Sequence, residues 1–197
     1  MASKLCHDLV GPVGATANGA ELLSDMTMEE EALALTAASA NQAAKLLQYY
    51  RLAFGAAGGL RNDFDELRSV VAGMAELRGL EHSWDIDAGV DAPLGAAKLL
   101  ANFMGLAAET LPRSGTLEGG VRREDGELVI FATARGPNAQ LREEARGALD
   151  PAAAGEITPR SVQAYYAALL ARQLASEVHE HSEGDSVALS ARLPASG

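Results

Sequence analysis

The sequence predicts an α+β protein in which an N-terminal helical hairpin is followed by an α/β sandwich. Before residue 55, apolar residues recur at spacings of three and four, which is typical of amphipathic helices. After the glycine-rich stretch 55–59, shorter apolar segments alternate between helix-like and strand-like patterns. We therefore expect two domains, residues 1–59 and residues 60–197. The apolar fraction of 48% and the charged fraction of 22% are those of an ordinary globular protein.

The first helix is predicted over residues 3–23. Its apolar stripe consists of Leu5, Leu9, Val13 and Leu23, with the small residues Thr16 and Ala20 between them. We expect the helix to end within residues 24–26. Thr27 and Glu30 then have the T-x-x-E spacing of a capping box, which predicts the start of a second helix.

The second helix carries an alanine-rich apolar seam and is expected to stop in the stretch 55–59. The seam consists of Leu33, Ala37, Ala40, Ala44, Leu47 and Phe54. A hairpin of about sixty residues with so many alanines buries too little apolar surface to be stable alone. Two hairpins that pair into a four-helix bundle would cover both stripes, so we expect a homodimer.

The remaining chain predicts a helical layer packed on a mainly antiparallel sheet. Asp125-Gly126 is a strong hairpin signal between two strands, and the alanine-rich segment 149–155 is expected to be a loop. The predicted helices cover residues 63–77, 93–111 and 159–178, and the predicted strands cover residues 82–87, 116–123, 127–134 and 186–193.

Charge and composition exclude several classes of protein. With 16 lysine and arginine residues against 27 aspartate and glutamate residues, the net charge of −11 argues against nucleic acid and anionic membranes as partners. No run approaches the roughly 18 apolar residues of a membrane helix, and no signal-peptide pattern is present, so we expect a cytoplasmic protein. The single Cys6 agrees, because domains that depend on disulfides carry paired cysteines.

Two other motifs favour structural interpretations. Cys6 and His7 are adjacent in sequence, but neighbouring helical positions point about 100° apart, so we interpret Cys6 as a small apolar filler and not as part of a nucleophilic dyad. His179-Glu180-His181 spaces two imidazoles as a strand-borne metal site would, yet no third ligand has a helpful spacing. We therefore expect an exposed turn at residues 179–181.

The face of the first helix opposite its apolar stripe carries the candidate chemistry. At 100° per residue this face contains Lys4, His7, Gly11, Gly14, Asn18 and Asp25. Glycine inside a helix costs about 1 kcal/mol relative to alanine, so two glycines beyond His7 suggest a surface that another protein's backbone approaches closely. Pro12 removes the hydrogen bond to the Asp8 carbonyl and disturbs the turn that carries His7. The alternative is that Pro12 and both glycines mark a loop.

An exposed His7 is suited to accept a phosphoryl group and release it again. A neutral imidazole nitrogen is a nucleophile near neutral pH, and the N–P bond it forms has a high transfer potential. The adjacent Asp8 is placed to orient the ring or to take its proton.

The residues around His7 resemble a known family. Lys4-Leu5-Cys6-His7-Asp8-Leu9 followed by Pro12 resembles the H-box of histidine kinases, where an acidic residue follows the phosphoacceptor histidine and a proline lies five positions on. The run from His7 to Leu23, with Asn18-Gly19-Ala20-Glu21-Leu22-Leu23, is similar to the ChpT family of histidine phosphotransferases of alphaproteobacteria. The segment Pro159-Arg160-Ser161-Val162-Gln163-Ala164-Tyr165-Tyr166 also resembles that family, so the similarity covers nearly the whole chain.

The resemblance implies a dimerisation and phosphotransfer hairpin followed by a domain shaped like a histidine-kinase ATPase domain. His7 would be the phosphoacceptor and Asp8 its acidic neighbour. The nucleotide motifs are degenerate: Leu106 stands where a kinase has its second N-box asparagine, and Ala134 stands where the adenine-binding aspartate would be. Residues 153–156, at the position of a glycine-rich lid, offer only Gly155.

We therefore expect a phosphotransferase that works without ATP. It would take a phosphoryl group on His7 from the receiver domain of a hybrid histidine kinase and pass it to response regulators of the cell cycle. Receiver docking is expected at Lys4, Gly11, Pro12, Gly14 and Asn18. No cofactor is expected to be bound, because Mg²⁺ belongs to the receiver. The alternative is a non-catalytic scaffold that sequesters response regulators, and an active kinase is disfavoured by Leu106 and Ala134.

Overall fold

The N-terminal region is a helical hairpin in a computed structural model that describes residues 2–23, 29–55, 62–87 and 89–194. Helix α1 (Ala2–Leu22) runs without a break through Pro12, so the alternative of a loop at this position is wrong. The hydroxyl of Thr16 donates to the carbonyl of Pro12 at 2.8 Å. Helix α2 (Glu29–Phe54) returns beside α1. The predicted end of α1 at 24–26 and the predicted cap Thr27 lie outside the described residues.

Small residues form the seam between α1 and α2. Gly19 lies against Ala32 and Thr36 so closely that a Cβ atom at position 19 would overlap the Thr36 side chain. Pro12 is also buried, so the expectation that it belongs to an exposed docking surface is wrong. The predicted apolar stripe of α1 is only partly correct, because the Val13 residue is 55% exposed and Ala20 is exposed as well. The close contact between the helices relies on small residues, so the larger aliphatic side chains are left on the outside.

The second region is a mixed five-stranded sheet covered by helices. The sequence predicted the helical layer and the mainly antiparallel pairing, but only four of the five strands. The sheet order is β1-β2-β3-β5-β4, with β1 and β2 parallel and the other pairs antiparallel. Asp125 and Gly126 have φ values of 51° and 84° and form the predicted turn between β2 and β3. The elements are α3 (Phe64–Leu77), β1 (Glu81–Ile86), α4 (Ala96–Thr110), β2 (Thr116–Glu124), β3 (Glu127–Arg135), α5 (Glu143–Gly147), α6 (Val162–Gln173), β4 (His179–Glu183) and β5 (Ser186–Leu193).

Two elements differ from the predictions. Strand β4 occupies the segment for which we expected an exposed turn, and it pairs with β5 at the sheet edge. The expectation was wrong because this edge strand carries five polar residues and therefore no apolar alternation. The short helix α5 was not predicted, since five residues are too few to show a helical period.

One hydrophobic core joins the hairpin to the second region. Helix α4 lies at its centre and is buried along almost its whole length. The C-terminal end of α2 contributes Tyr49, Tyr50 and Ala53 to the same core. The hairpin is thus anchored at one end, and this anchoring places the N-terminus of α1 beside the second region. No helix among residues 2–23, 29–55, 62–87 and 89–194 is long and apolar enough to span a membrane.

Candidate functional site

His7 lies on the open face of α1, as predicted. Its side chain is 81% exposed. Gly11, Gly14 and Asn18 are exposed on the same helix, and nothing in the described structure lies within 4 Å of a Cβ atom built at either glycine. The helix surface beyond His7 is therefore free of side-chain obstruction, and another protein's backbone has room to approach it.

Lys4 does not lie on this open face, and the expectation that it is exposed is wrong. The residue is 7% exposed. Its Nζ atom lies 2.6 Å from Oε1 of Glu109 in α4 and 3.4 Å from Oδ2 of Asp8. Helical geometry alone did not reveal this position because Glu109 belongs to the second region of the fold. The aliphatic stem of Lys4 is buried, and its ammonium group contacts both carboxylates.

Asp8 is the centre of the polar cluster around His7. Its Oδ1 atom lies 2.8 Å from Nδ1 of His7, and its Oδ2 atom accepts a hydrogen bond from the hydroxyl of Tyr50 in α2. Partial burial of the carboxyl group raises its pKa. The hydrogen bonds from Tyr50 and His7, together with the charge of Lys4, outweigh that effect and leave the pKa of Asp8 below its ordinary value. Asp8 is therefore ionised at neutral pH.

The ionised Asp8 determines the tautomer of the neutral His7 ring. A carboxylate only accepts hydrogen bonds, so the 2.8 Å contact requires Nδ1 of His7 to carry the hydrogen. Nε2 then has the free lone pair. Because the ring is largely exposed, this lone pair is available to an electrophile that approaches α1 from outside.

A cavity of about 780 Å³ adjoins His7 between the start of α1 and the second region. Its lining residues are Lys4, His7 and Asp8 of α1 and, from the second region, Arg78, Glu109, Arg142, Glu144, Thr158, Pro159 and Arg160. Arg142 is held by Glu109 at 2.8 Å. The sequence analysis missed Arg78, Arg142 and Arg160 because they come from three separate loops. Arg160 does belong to the segment 159–166, which resembles the ChpT family.

A second polar cluster lies on α4 and is closed. The hydroxyl of Tyr49 donates to the carbonyl of Ala101 at 3.2 Å and accepts from Nε2 of Gln163 at 2.6 Å. A Cβ atom at Gly105 would overlap both side chains. Burial raises the pKa of Tyr49 well above its ordinary value, so its hydroxyl stays protonated. These side chains fill the space over α4.

The positions of the degenerate N-box and adenine-binding motifs are also buried, whereas residues 153–156 are not. Leu106 is buried in α4 and Ala134 in β3. The amide nitrogen of Asn102 donates to the carbonyls of Ala53 and Lys98. None of these three side chains reaches a solvent-exposed surface.

A metal site is not formed by the described residues. They contain no group of three or more histidine, cysteine, aspartate or glutamate side chains placed to hold an ion. His179 and His181 are exposed on β4, while Glu180 between them pairs with Arg146 at 3.2 Å.

Comparison with known proteins identifies relatives of this chain. Residues 64–186 match the family model of the histidine phosphotransferase C-terminal domain. The chain is 32% identical over 194 residues to the protein phosphotransferase ChpT of Brucella abortus (strain 2308), a match that covers 97% of this chain and 92% of the relative.

Solved structures give the same result for the fold. A structure described as a bacterial phosphotransferase superposes with a TM-score of 0.84 and 30% identity, covering 97% of this chain and 93% of the other. The histidine kinase domain of the blue-light activated kinase EL346 of Erythrobacter litoralis has a TM-score of 0.51 and 14% identity, with 98% and 93% coverage. The second likeness shows that the fold is a helical region joined to an ATPase-like α/β domain. By these matches, the chain belongs to the ChpT family of histidine phosphotransferases.

Proposed function

We propose that this chain carries phosphoryl groups between receiver domains on His7 and uses no ATP. The donor is the receiver of a hybrid histidine kinase, and the acceptors are response-regulator receivers. The observation that carries the proposal is the combination of an exposed His7 ring with a hydrogen bond from its Nδ1 atom to Asp8. That bond leaves Nε2 free on the side from which a partner arrives.

The transfer is a single displacement at phosphorus. Nε2 of His7 attacks the phosphorus of a phospho-aspartate, an N–P bond forms, and the bond from phosphorus to the aspartyl oxygen breaks. The electron pair of the broken bond leaves with the aspartate, which becomes a carboxylate. The His7 ring gains a positive charge that Asp8 stabilises through Nδ1–H. The same steps in reverse deliver the group to the next receiver.

The open face of α1 supports docking of a receiver. Gly11, Gly14 and Asn18 are exposed beside His7 and allow close backbone approach. Arg142 and Arg160 line the cavity beside His7, where we expect them to attract an incoming phospho-aspartate and the acidic pocket that binds the receiver's own Mg²⁺. The whole chain has a net charge of −11, but Lys4 and the three arginines that line this cavity outnumber its three carboxylates and favour an anionic partner here.

The closed cluster on α4 supports transfer without ATP. Leu106 and Ala134 supply no ligand for Mg²⁺ and no acceptor for an adenine amino group. Tyr49 and Gln163 occupy the surface of α4 near Gly105. The residues present therefore do not fit a nucleotide site, and no step of the proposed transfer uses one.

The exposed aliphatic residues of the hairpin support a homodimer, which we propose acts in the cytoplasm. Val10, Val13, Leu33 and Leu47 are each at least half exposed in the single chain. Such side chains on both helices are typical of a surface that pairs with a second copy. Two hairpins would then form the four-helix bundle, and the exposed His7 would remain outside its core.

Phosphoryl transfer tests the proposal directly. The unmutated protein incubated with a ³²P-phosphorylated receiver domain should gain label that is stable in alkali and labile in acid, as phosphohistidine is. His7→Gln should gain none. His181→Gln removes a histidine of similar exposure, 77%, and serves as the matched control with unchanged labelling. Label that persists in His7→Gln contradicts the assignment, and binding of the receiver without any labelling supports the scaffold alternative.

A nucleotide titration tests the claim about ATP. We expect no change in thermal unfolding or intrinsic fluorescence on addition of ATP with Mg²⁺ over the micromolar range. Saturable micromolar binding would show that the interpretation of the second domain is wrong.

A further inference from the structure

We infer that Tyr50 is a positioning residue for this transfer: its hydroxyl fixes Asp8, and Asp8 in turn fixes the His7 ring with Nε2 outward. The inference rests on the proposed function of His7 and adds to it a residue on a different helix. Neither the family match nor the sequence motifs assign Tyr50 a role.

The two oxygens of Asp8 have different partners. Oδ1 contacts Nδ1 of His7 at 2.8 Å, while Oδ2 accepts the Tyr50 hydrogen bond and lies 3.4 Å from Nζ of Lys4. A carboxylate bonded through one oxygen is free to rotate about its side-chain torsions. Contacts at both oxygens fix its plane and therefore the direction of the His7 hydrogen bond.

Packing of the Tyr50 ring determines where its hydroxyl lies. The residue is 5% exposed, its ring stacks on Phe54 with centroids 5.5 Å apart, and it is tilted against Tyr49 at the same centroid distance. A tyrosine has two side-chain torsions, and this packing restricts both. The hydroxyl thus reaches Asp8 from a rigid part of the core.

The chemistry of Tyr50 favours a positioning role over proton transfer. Burial and the hydrogen bond to Asp8 raise the pKa of Tyr50 far above its ordinary value, so the hydroxyl remains a donor at physiological pH. Asp8 stays ionised because the hydrogen bonds from Tyr50 and His7 and the charge of Lys4 together lower its pKa. Tyr50 therefore stabilises one arrangement of the site without exchanging a proton in the reaction.

His7 depends on this support because its ring is so exposed. Within the described part of the chain, Asp8 is the polar partner of the ring. If Asp8 turns away, the neutral ring can adopt either tautomer, and the fraction with a free Nε2 lone pair falls. Small changes in the orientation of reacting atoms produce large changes in rate.

Tyr50→Phe tests the inference, because it removes the hydroxyl and keeps the ring that stacks on Phe54. We expect the rate of phosphoryl transfer from a ³²P-labelled receiver to His7 to fall roughly tenfold. The ¹⁵N spectrum of the His7 ring, assigned with His7→Gln, should show a smaller fraction of the Nδ1–H tautomer. Tyr49→Phe is the matched control: it removes the hydroxyl of the adjacent, equally buried tyrosine and should change neither readout.

A double-mutant cycle distinguishes positioning through Asp8 from a general structural effect. In an Asp8→Asn background, Tyr50→Phe should give no further loss of rate, since the residue through which it acts has been changed. An equal loss in both backgrounds overturns the inference.

The tautomer of the unmutated protein supplies a test that needs no variant. At a pH at which the ring is neutral, the Nδ1–H form of His7 should predominate, and a majority of the Nε2–H form overturns the inference even if Tyr50→Phe fails to fold. Absence of label on His7 in the unmutated protein contradicts the proposed function instead. The two failures are distinguishable because the spectrum requires no phosphoryl transfer.

Discussion

Two adjacent tyrosines on α2 have hydroxyl groups in very different surroundings. Tyr50 donates to Asp8 beside the exposed His7, in a cluster that opens into a cavity of about 780 Å³. Tyr49 bonds to Ala101 and Gln163 in a fully buried cluster on α4. We refer to these as the open cluster and the closed cluster. Both are polar, but only the open cluster leaves room for a reacting partner.

Under the proposed function, the fold keeps the phosphoacceptor of a histidine kinase and does not keep its nucleotide site. Tyr49 and Gln163 fill the space over α4 at Gly105. Because Tyr49 belongs to α2 and Gln163 to α6, their contact also joins the hairpin to the second region. The closed cluster therefore contributes stability to the fold.

Gly105→Ala should produce the largest effect, because it disturbs the closed cluster. A methyl group at this position overlaps the Tyr49 hydroxyl and the Gln163 amide, both of which are buried. Overpacking of this kind lowers the free energy of unfolding by about 3 kcal/mol. Urea denaturation measures the loss. Gly147→Ala is the control, since nothing lies within 4 Å of a Cβ atom there, and equal stability of the two variants would show that the α4 surface is not tightly filled.

Glu109→Gln should have the next largest effect, because it acts where the two regions meet. The change leaves the buried Lys4 ammonium with only the more distant carboxylate of Asp8, 3.4 Å away. We expect the free energy of unfolding to fall by about 2 kcal/mol. Glu118→Gln removes a carboxylate from a more exposed ion pair with Arg135 and should cost less than about 1 kcal/mol. Similar losses would mean that Lys4 does not link the hairpin to the second region.

Gly14→Ala should have the opposite sign to Gly105→Ala. The helix surface at Gly14 is open, so the methyl group meets nothing and the higher helix propensity of alanine raises the free energy of unfolding by about 1 kcal/mol. The same methyl group obstructs the surface proposed for receiver docking, so the rate of transfer to His7 should fall while stability rises. A variant that is more stable and transfers at the original rate would remove Gly14 from the docking surface.

The order of most helices and strands followed from local patterns. Apolar spacing predicted α1 and α2, and Asp125-Gly126 predicted the hairpin between β2 and β3. Strand β4 was missed because its stability comes from pairing with β5 and not from its own polar side chains. The apolar pattern of a segment shows which of its side chains are buried, but not which other segment it pairs with.

The sequence predicted only the part of the site that lies on helix α1. The 100° rotation per residue correctly placed His7 away from the seam. The same reasoning misplaced Lys4, because its partner Glu109 is 105 positions away along the chain. Tyr50, Arg142 and Arg160 were missed for the same reason. The tertiary fold brings them to Asp8 or to the cavity beside His7, and no spacing in the sequence connects them with that histidine.

The smallest predicted effect is the pH dependence of the open cluster. Because the folded-state pKa of Asp8 lies below the ordinary aspartate value of 3.8, its contacts stabilise the folded state fully above that pH. The stabilisation is lost as the pH falls below 3.8 through the depressed folded-state pKa. The difference in free energy of unfolding between the unmutated protein and Asp8→Asn should therefore be constant from neutral pH to about pH 4 and shrink below it.

The size of this difference should stay under about 1 kcal/mol, since the Asp8 side chain is one-quarter exposed and water screens its contacts. Urea denaturation over a pH series measures it, with Asp65→Asn as a control at an almost fully exposed carboxylate. If the Asp8 difference persisted unchanged in acid, the variant would be acting through packing and not through charge. The open cluster would then stabilise the fold by packing, as the closed cluster does, and the charge of Asp8 would not distinguish the surroundings of Tyr50 from those of Tyr49.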